Sequence, residues 1–306
     1  MTSPRAKGVY LTLAAALGLS LGGVLVRHAE ASAWEIVFWR SITMSLVLIA
    51  FLGVQHGRRM IAEIVRTGWA GVLCGLFLAG TFFGFVLAVQ STTVANTVVI
   101  MSTTPFFAAV FGRVVLGEAV GARTWAALAV AAVGITIMCW DSLDTATGLI
   151  GNLYALGLAL CYAAHLVTIR AVGGKVDMVP SVLIAGGTAI IVALPFAWPL
   201  DTDSRSIAVS VIMGTVQVGL PLIFVTMAAR YLAAAEVALL AMLEVILGPL
   251  WVWIILGEHP TALALVGGAL VVGALLGNTL AAFGLRPSVA ARTVLERGGA
   301  SLAWSR

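Results

Sequence analysis

A chain of 306 residues in which 61% are hydrophobic and only 10% charged, with a mean hydropathy of +1.09, is made for lipid; an ordinary soluble domain carries roughly 25% charged residues. The formal charge of +4 comes from basic residues scattered between apolar runs rather than gathered in a patch, which argues against a nucleic-acid partner and for the lipid bilayer. Cys74, Cys139 and Cys161 lie singly inside apolar stretches, so neither a disulfide framework nor a Cys-x-x-Cys metal site is expected, and no cofactor is implied.

In chain order, the apolar runs predict spans at 8–27, 35–54, 68–89, 94–115, 123–140, 149–169, 179–199, 207–228, 234–256 and 262–283. Their lengths lie near the roughly 20 residues that cross a bilayer. They do not alternate as barrel strands do, so the expected fold is all-α with ten transmembrane helices. Arg5 and Lys7 before the first run, and Ala29-Glu30-Ala31 after it, resemble a cleaved leader. The run from Gly8 to Val26 is longer than the usual 7–15 residue apolar core of a leader, and it is expected to stay as span 1. Span 1 also holds Gly18-Leu19-Ser20-Leu21-Gly22. The Gly-x-Ser-x-Gly elbow of a hydrolase needs a strand–turn–helix, which a membrane helix does not supply, so no enzyme is expected.

Span 2 carries Arg40 after Trp39. Two readings stand: a structural or snorkelling arginine tied to helix-end carbonyls, or a receptor for an anion. In span 3, Gly71/Gly75 and Gly80/Gly84 form two small faces pointing about 180° apart, which predicts a helix sandwiched between neighbours. Span 4 contains Asn96 and Thr104 and ends in Leu116-Gly117-Glu118. Span 6 lines up Tyr154, Leu158, Cys161, His165 and Thr168 on one face. Such a face is suited to water or a ligand, although a lone buried histidine is also commonly satisfied within protein. Span 9 holds Glu236, close enough to its end for interfacial solvation, and Glu244, and it closes on Leu256-Gly257-Glu258.

The repeated Leu-Gly-Glu is the organising feature. Sliding the chain by 140 residues superimposes 116–118 on 256–258, Ala88 on Ala228 and Ala95 on Ala235, and it sets Asn96 on Glu236 and Thr104 on Glu244. Two copies of five spans follow, residues 1–145 and 146–285, with a tail at 286–306. An odd number of crossings forces the second copy to enter from the opposite side, as in the inverted repeats of many secondary transporters. At each tripeptide the glycine permits the turn and the glutamate lies near the positive end of the next helix, so Glu118 and Glu258 are expected to be structural corners.

Thr104-Pro105-Phe106-Phe107 running to Leu116-Gly117-Glu118, and Leu243-Glu244 in the second copy, resemble the EamA-type repeat of the drug/metabolite transporter superfamily. The usual Leu-Glu-Pro is broken by Val245, and Pro249 comes one turn later, which predicts a kink in span 9 at a different place from span 4. The resemblance, over residues 8–283, implies a ten-helix secondary transporter with alternating access and a small-molecule substrate. It favours efflux of small metabolites, with exported amino acids or related compounds as candidates, from a monomer or homodimer. A scaffold or sensor that does not transport is the alternative.

With both termini cytoplasmic, fourteen of the seventeen Lys and Arg fall inside, two (Arg27 and Arg205) outside, and Arg40 within span 2. The positive-inside rule selects that orientation in the cytoplasmic (inner) membrane. Glu244 then lies about 12 residues, or ~18 Å, from the outer face, His165 ~24 Å and Arg40 ~9 Å. Ionisable side chains at such depths are costly. Glu244, His165, Arg40, Asn96, Thr104, Tyr154 and Glu236 are therefore the candidates for substrate binding or coupling. Glu244 and His165 are the expected centre, against the rival that a protonated Glu244 only ties helices together.

Overall fold

In the computed structural model, residues 4–140, 146–172, 176, 178–228, 231, 232, 240 and 243–284 are described. All regular structure among them is helical. Six helices are long and apolar enough to cross a membrane: Ala6–His28, Ala33–Arg66, Gly68–Ser91, Val94–Leu116, Thr147–Val172 and Ser204–Val225. Four shorter apolar helices, Ala122–Ile137, Ser181–Ala197, Leu243–Leu256 and Ala262–Asn278, fall on the remaining expected spans. The chain is a multi-pass, all-helical membrane protein.

Span 1 is two pieces, α1 (Pro4–Ser20) and α2 (Gly22–His28), broken at Leu21. The break lies among glycines that let neighbours close in: Gly18 faces Pro221, and Gly23 faces Val94. Next, α3 (Ala33–His56) opens with a capping box. Ser32 accepts from the Glu35 N–H, and the Glu35 carboxylate accepts from the Ser32 N–H. A 3₁₀ turn and α4 (Met60–Arg66) lead to α5 (Gly68–Ser91).

Span 4 is also divided, into α6 (Val94–Met101) and α7 (Thr104–Leu116). Pro105 lacks an N–H and cannot sit in a helix interior without breaking the ladder. It occupies the first turn of α7, and the Ser102, Thr103 and Thr104 hydroxyls donate back to carbonyls of the preceding turn. After α8 (Ala122–Cys139), α9 (Ala146–Val172) and α10 (Ser181–Ala197) come α11 (Ser204–Ile212), a π-helical turn (Met213–Gly219) and α12 (Leu220–Ala228). Asp203 caps α11 by accepting from the N–H of Arg205 and of Ser206. Two helices close the described chain, α13 (Leu243–Leu256), with Pro249 inside it, and α14 (Ala262–Gly284). Spans 1 and 8 thus depart from the continuous helices expected of unbroken apolar runs, whereas the break in span 4 falls just before Pro105. Hydropathy registers the greasiness of a segment and not its hydrogen-bond register.

The packing partners form a regular set. α5 lies along α9, α1 along α12, α3 along α10, α6 along α13 and α8 along α14. α5 is sandwiched as its glycines predict: a Cβ on Gly75 would press on Ile184 of α10, and one on Gly84 would sit 2.9 Å from Leu158 Cβ of α9. The larger apolar core joins α2, α3, α5 and α10, with Met213 and Val218 of the π turn. A second core joins α6, α7, α8, α9 and α14.

Candidate functional site

The two corners come first because they fix the ends of the bundle. Gly117 and Gly257 are left-handed, φ 70° and 68°, as a helix-terminating glycine requires. Glu118 pairs with Arg170 near the end of α9. Glu258 pairs with Arg27 near the end of α2 at 2.8 Å, and a second bond runs from Arg27 to the Thr92 carbonyl at 2.9 Å. The Thr92 hydroxyl continues to Asn152 Oδ1 at 3.0 Å, where Asn96 Nδ2 also donates at 3.3 Å. Asn152 and Arg170 stand on the one helix α9, eighteen residues or about 27 Å apart. The two ion pairs therefore mark opposite ends, and each links residues of different halves of the chain.

Asn96 thus belongs to a buried polar cluster at the Glu258 end rather than at mid-bundle. Asn152 Nδ2, Arg27 Nε and Glu258 Oε2 in that cluster are buried without hydrogen-bond partners. A small cleft lined by Thr93, Ala95, Pro249, Val252, Glu258, His259 and Pro260 lies beside it.

Toward the Arg170 end of α9, His165 is buried and reaches across to α5. Its Nδ1 lies 3.0 Å from the Cys74 carbonyl and 3.1 Å from Cys74 Sγ. A carbonyl can only accept, so the proton sits on Nδ1 and Nε2 is left as an acceptor. The Tyr162 ring stacks on the imidazole with centroids 5.9 Å apart, and Tyr162 in turn lies within electrostatic reach of Glu244 on α13. Tyr162 is the neighbour that His165 and Glu244 share. Tyr162 is 39% exposed and Glu244 half-buried. Among the described residues, no cation or hydrogen-bond donor reaches the Glu244 carboxylate.

The rest of the α9 stripe packs differently from expectation. Leu158 and Cys161 press on Gly84 and Gly80 of α5, so the face that periodicity assigned to water or ligand is largely a helix–helix seam. Tyr154 stays 38% exposed, two residues beyond Asn152. Thr104 is buried at the break in span 4, its hydroxyl donating to the Met101 carbonyl at 2.6 Å. Glu236 lies outside the described residues.

Arg40 is 3% exposed, donates from Nη2 to the Phe82 carbonyl at 3.1 Å and lies 5.2 Å from the Phe82 ring centroid. It reaches neither Glu244 nor His165 by any contact among the described residues. Gln217, on the π turn, is buried with Oε1 unpartnered. Sequence reading passed over Gln217 and Tyr162. Tyr162 stands three residues before His165, the i,i+3 neighbour on a helix, and that spacing was the available signal.

Comparison with known proteins agrees with this geometry. The profile of the EamA-like transporter family matches twice, over residues 6–140 and 149–280. The pseudopaline exporter CntI of Pseudomonas aeruginosa (strain UCBPP-PA14) is 25% identical over 279 residues, 87% of this chain and 93% of the relative. The uncharacterized transporter YdfC of Bacillus subtilis (strain 168) is 26% identical over 206 residues, 64% and 67% of the two chains. A solved crystal structure shares the fold at TM-score 0.62 and 17% identity, covering 92% of this chain and 99% of its own.

Proposed function

Because the chain belongs to the EamA-like transporter family, we propose that it is a secondary transporter exporting small metabolites across the cytoplasmic membrane by alternating access. The substrates are amino acids or related compounds, and the protein performs no catalysis. The observation that carries the reading is Glu244: a half-buried carboxylate on an apolar helix, with no cation partner among the described residues. A charge so placed is costly unless a substrate cation or a proton meets it. Tyr162 and the free Nε2 of His165 supply the neighbouring groups for handing on a proton.

The architecture proposed is ten spans in two inverted halves, residues 1–145 and 146–285. Exchanging each span of one half for its counterpart turns the α1–α12 contact into the α9–α5 contact, the α5–α10 contact into that of α3 with the π turn, and the α7–α9 contact into the α1–α13 contact, and it returns α3–α10, α6–α13 and α8–α14 to themselves. The corners support the same reading, each glutamate pairing with an arginine of the other half. Fourteen cytoplasmic basic residues against two outside support cytoplasmic termini. That a relative is named as an exporter favours the outward direction.

The test is a thermal-shift screen of purified protein against amino acids, amines and nucleosides, followed by counterflow of each hit in proteoliposomes. Exchange of labelled hit into loaded vesicles is expected. Binding without exchange would make the protein a sensor or scaffold instead.

A further inference from the structure

A buried guanidinium without a carboxylate is an expensive thing to keep in a membrane helix. Among the described residues no acid pairs with Arg40, and a single oxygen, the Phe82 carbonyl, accepts from its five N–H donors. The surroundings close into a ring of four elements. Arg40 of α3 is bound to Phe82 of α5, and Phe85 stands one turn further along α5. A Cβ on Gly22 of α2 would lie 2.9 Å from both Phe85 Cζ and Gln217 Nε2. Gly214, three residues before Gln217, lies against the backbone of Arg40 and so returns the ring to α3.

Two features set this spot apart from ordinary packing. Gln217 lies on a π-helical turn, a backbone irregularity that concentrates at functional sites. Its Oε1 is buried without a hydrogen-bond partner among the described residues, an acceptor left over for a donor, and Nε2 is the end of the amide that can donate to an anion. The ring therefore offers guanidinium and amide N–H groups with aromatic side chains beside them and, among the described residues, no carboxylate side chain paired with Arg40.

We propose that Arg40 and Gln217 form the anion-recognition subsite of the transporter, and that its substrates carry a free carboxylate. This rests on the transport reading and assigns the residues that would hold the carboxylate end of such substrates. The fork of the guanidinium receives the two carboxylate oxygens, as such pairs commonly do. The Gln217 amide supplies a further donor, and Phe82 and Phe85 flank the substrate's apolar part. A purely structural Arg40, clamping α3 to α5 through the Phe82 carbonyl, needs no ligand and predicts no discrimination between an acid and its amide.

The test uses purified full-length protein, the twenty L-amino acids, and their C-terminal amides. For at least one amino acid, the free acid is expected to raise the melting temperature and its amide to bind at least tenfold more weakly. Arg40→Lys keeps the charge but not the fork, and it is expected to fold and lose at least tenfold in affinity for the acid. Gln217→Glu sets a like charge beside the carboxylate and is expected to abolish acid binding while leaving the melting temperature of the free protein within a few degrees. Amides that bind as well as acids, no acid that binds the parent, or full acid affinity in both variants would each overturn the proposal. Counterflow separates the two readings. Exchange of amides but not acids removes the carboxylate subsite and leaves transport standing; Arg40-dependent acid binding without exchange removes transport and leaves the subsite standing.

Discussion

The two ends of the bundle are near copies, and its middle is not. At each end a Leu-Gly-Glu corner turns on a left-handed glycine and sends a carboxylate to an arginine of the other half. In the middle, the position that is Thr104 in one half, at a helix break before Pro105, is Glu244 in the other, within a helix that carries its proline at 249. The contrast separates two demands on a duplicated chain. Corners hold the halves together and tolerate little change, whereas a substrate pathway gains from unlike groups on its two sides.

If the corners are equivalent, equal insults should cost equally. Gly117 and Gly257 each have open space around the missing Cβ, so valine at either meets only backbone strain. Gly117→Val and Gly257→Val should each destabilise by about 1–2 kcal/mol. Melting in detergent checks this, and a cost at one corner more than twice that at the other would break the equivalence.

Their ion pairs should differ modestly. Arg27 and Glu258 side chains are 29% and 32% exposed, Arg170 and Glu118 49% and 37%. Glu258→Gln should therefore lower stability more than Glu118→Gln, both within about 1 kcal/mol. Reversing one pair, Arg27→Glu with Glu258→Arg, should recover much of what either change alone loses. No recovery in the double variant would mean that the carboxylate acts on the helix terminus alone.

The smallest effect sharpens the comparison at the helix starts. Asp203 caps α11, whereas Thr67, at the corresponding start of α5, makes no side-chain cap. Hydrogen bonding to Ser206, and then to the Arg205 N–H, holds the Asp203 carboxyl below its ordinary value. A depressed folded pKa contributes stability in full above the unfolded value, about 3.9, and loses it as pH falls through the folded one. Asp203→Ala should melt slightly earlier than the parent near neutral pH, with the gap closing in strong acid. A gap that widens in acid would contradict this.

Much of the fold was legible because lipid leaves the backbone few options: long apolar runs must be helices, and scattered arginines must choose a side. The copied corners were legible because their tripeptide is nearly all that survives of sequence identity. Their partners were not, since Arg27 meets Glu258 across 231 residues and Arg170 meets Glu118 across 52. A trace did exist: sliding the chain by 140 residues carries Arg27 to within one helical turn of Arg170. On α9, periodicity placed His165 on a face but could not say that the same face would meet the glycines of α5. Pro105 marked the break at Ser102–Thr103 in the sequence, whereas the break at Leu21 and the π turn carrying Gln217 depend on neighbours that only the assembled bundle supplies.

The central claim is that Glu244 serves the transport cycle rather than the packing of helices. The most direct measurement is proteoliposome flux of a substrate identified in the screen, between pH 5.5 and 8, for the parent and Glu244→Gln, with melting confirming that the variant is folded. The account predicts a rate lowered at least tenfold, or a pH dependence abolished, in a variant of near-parental melting temperature. A folded Glu244→Gln with the parent's rate and pH profile would contradict it and make Glu244 structural.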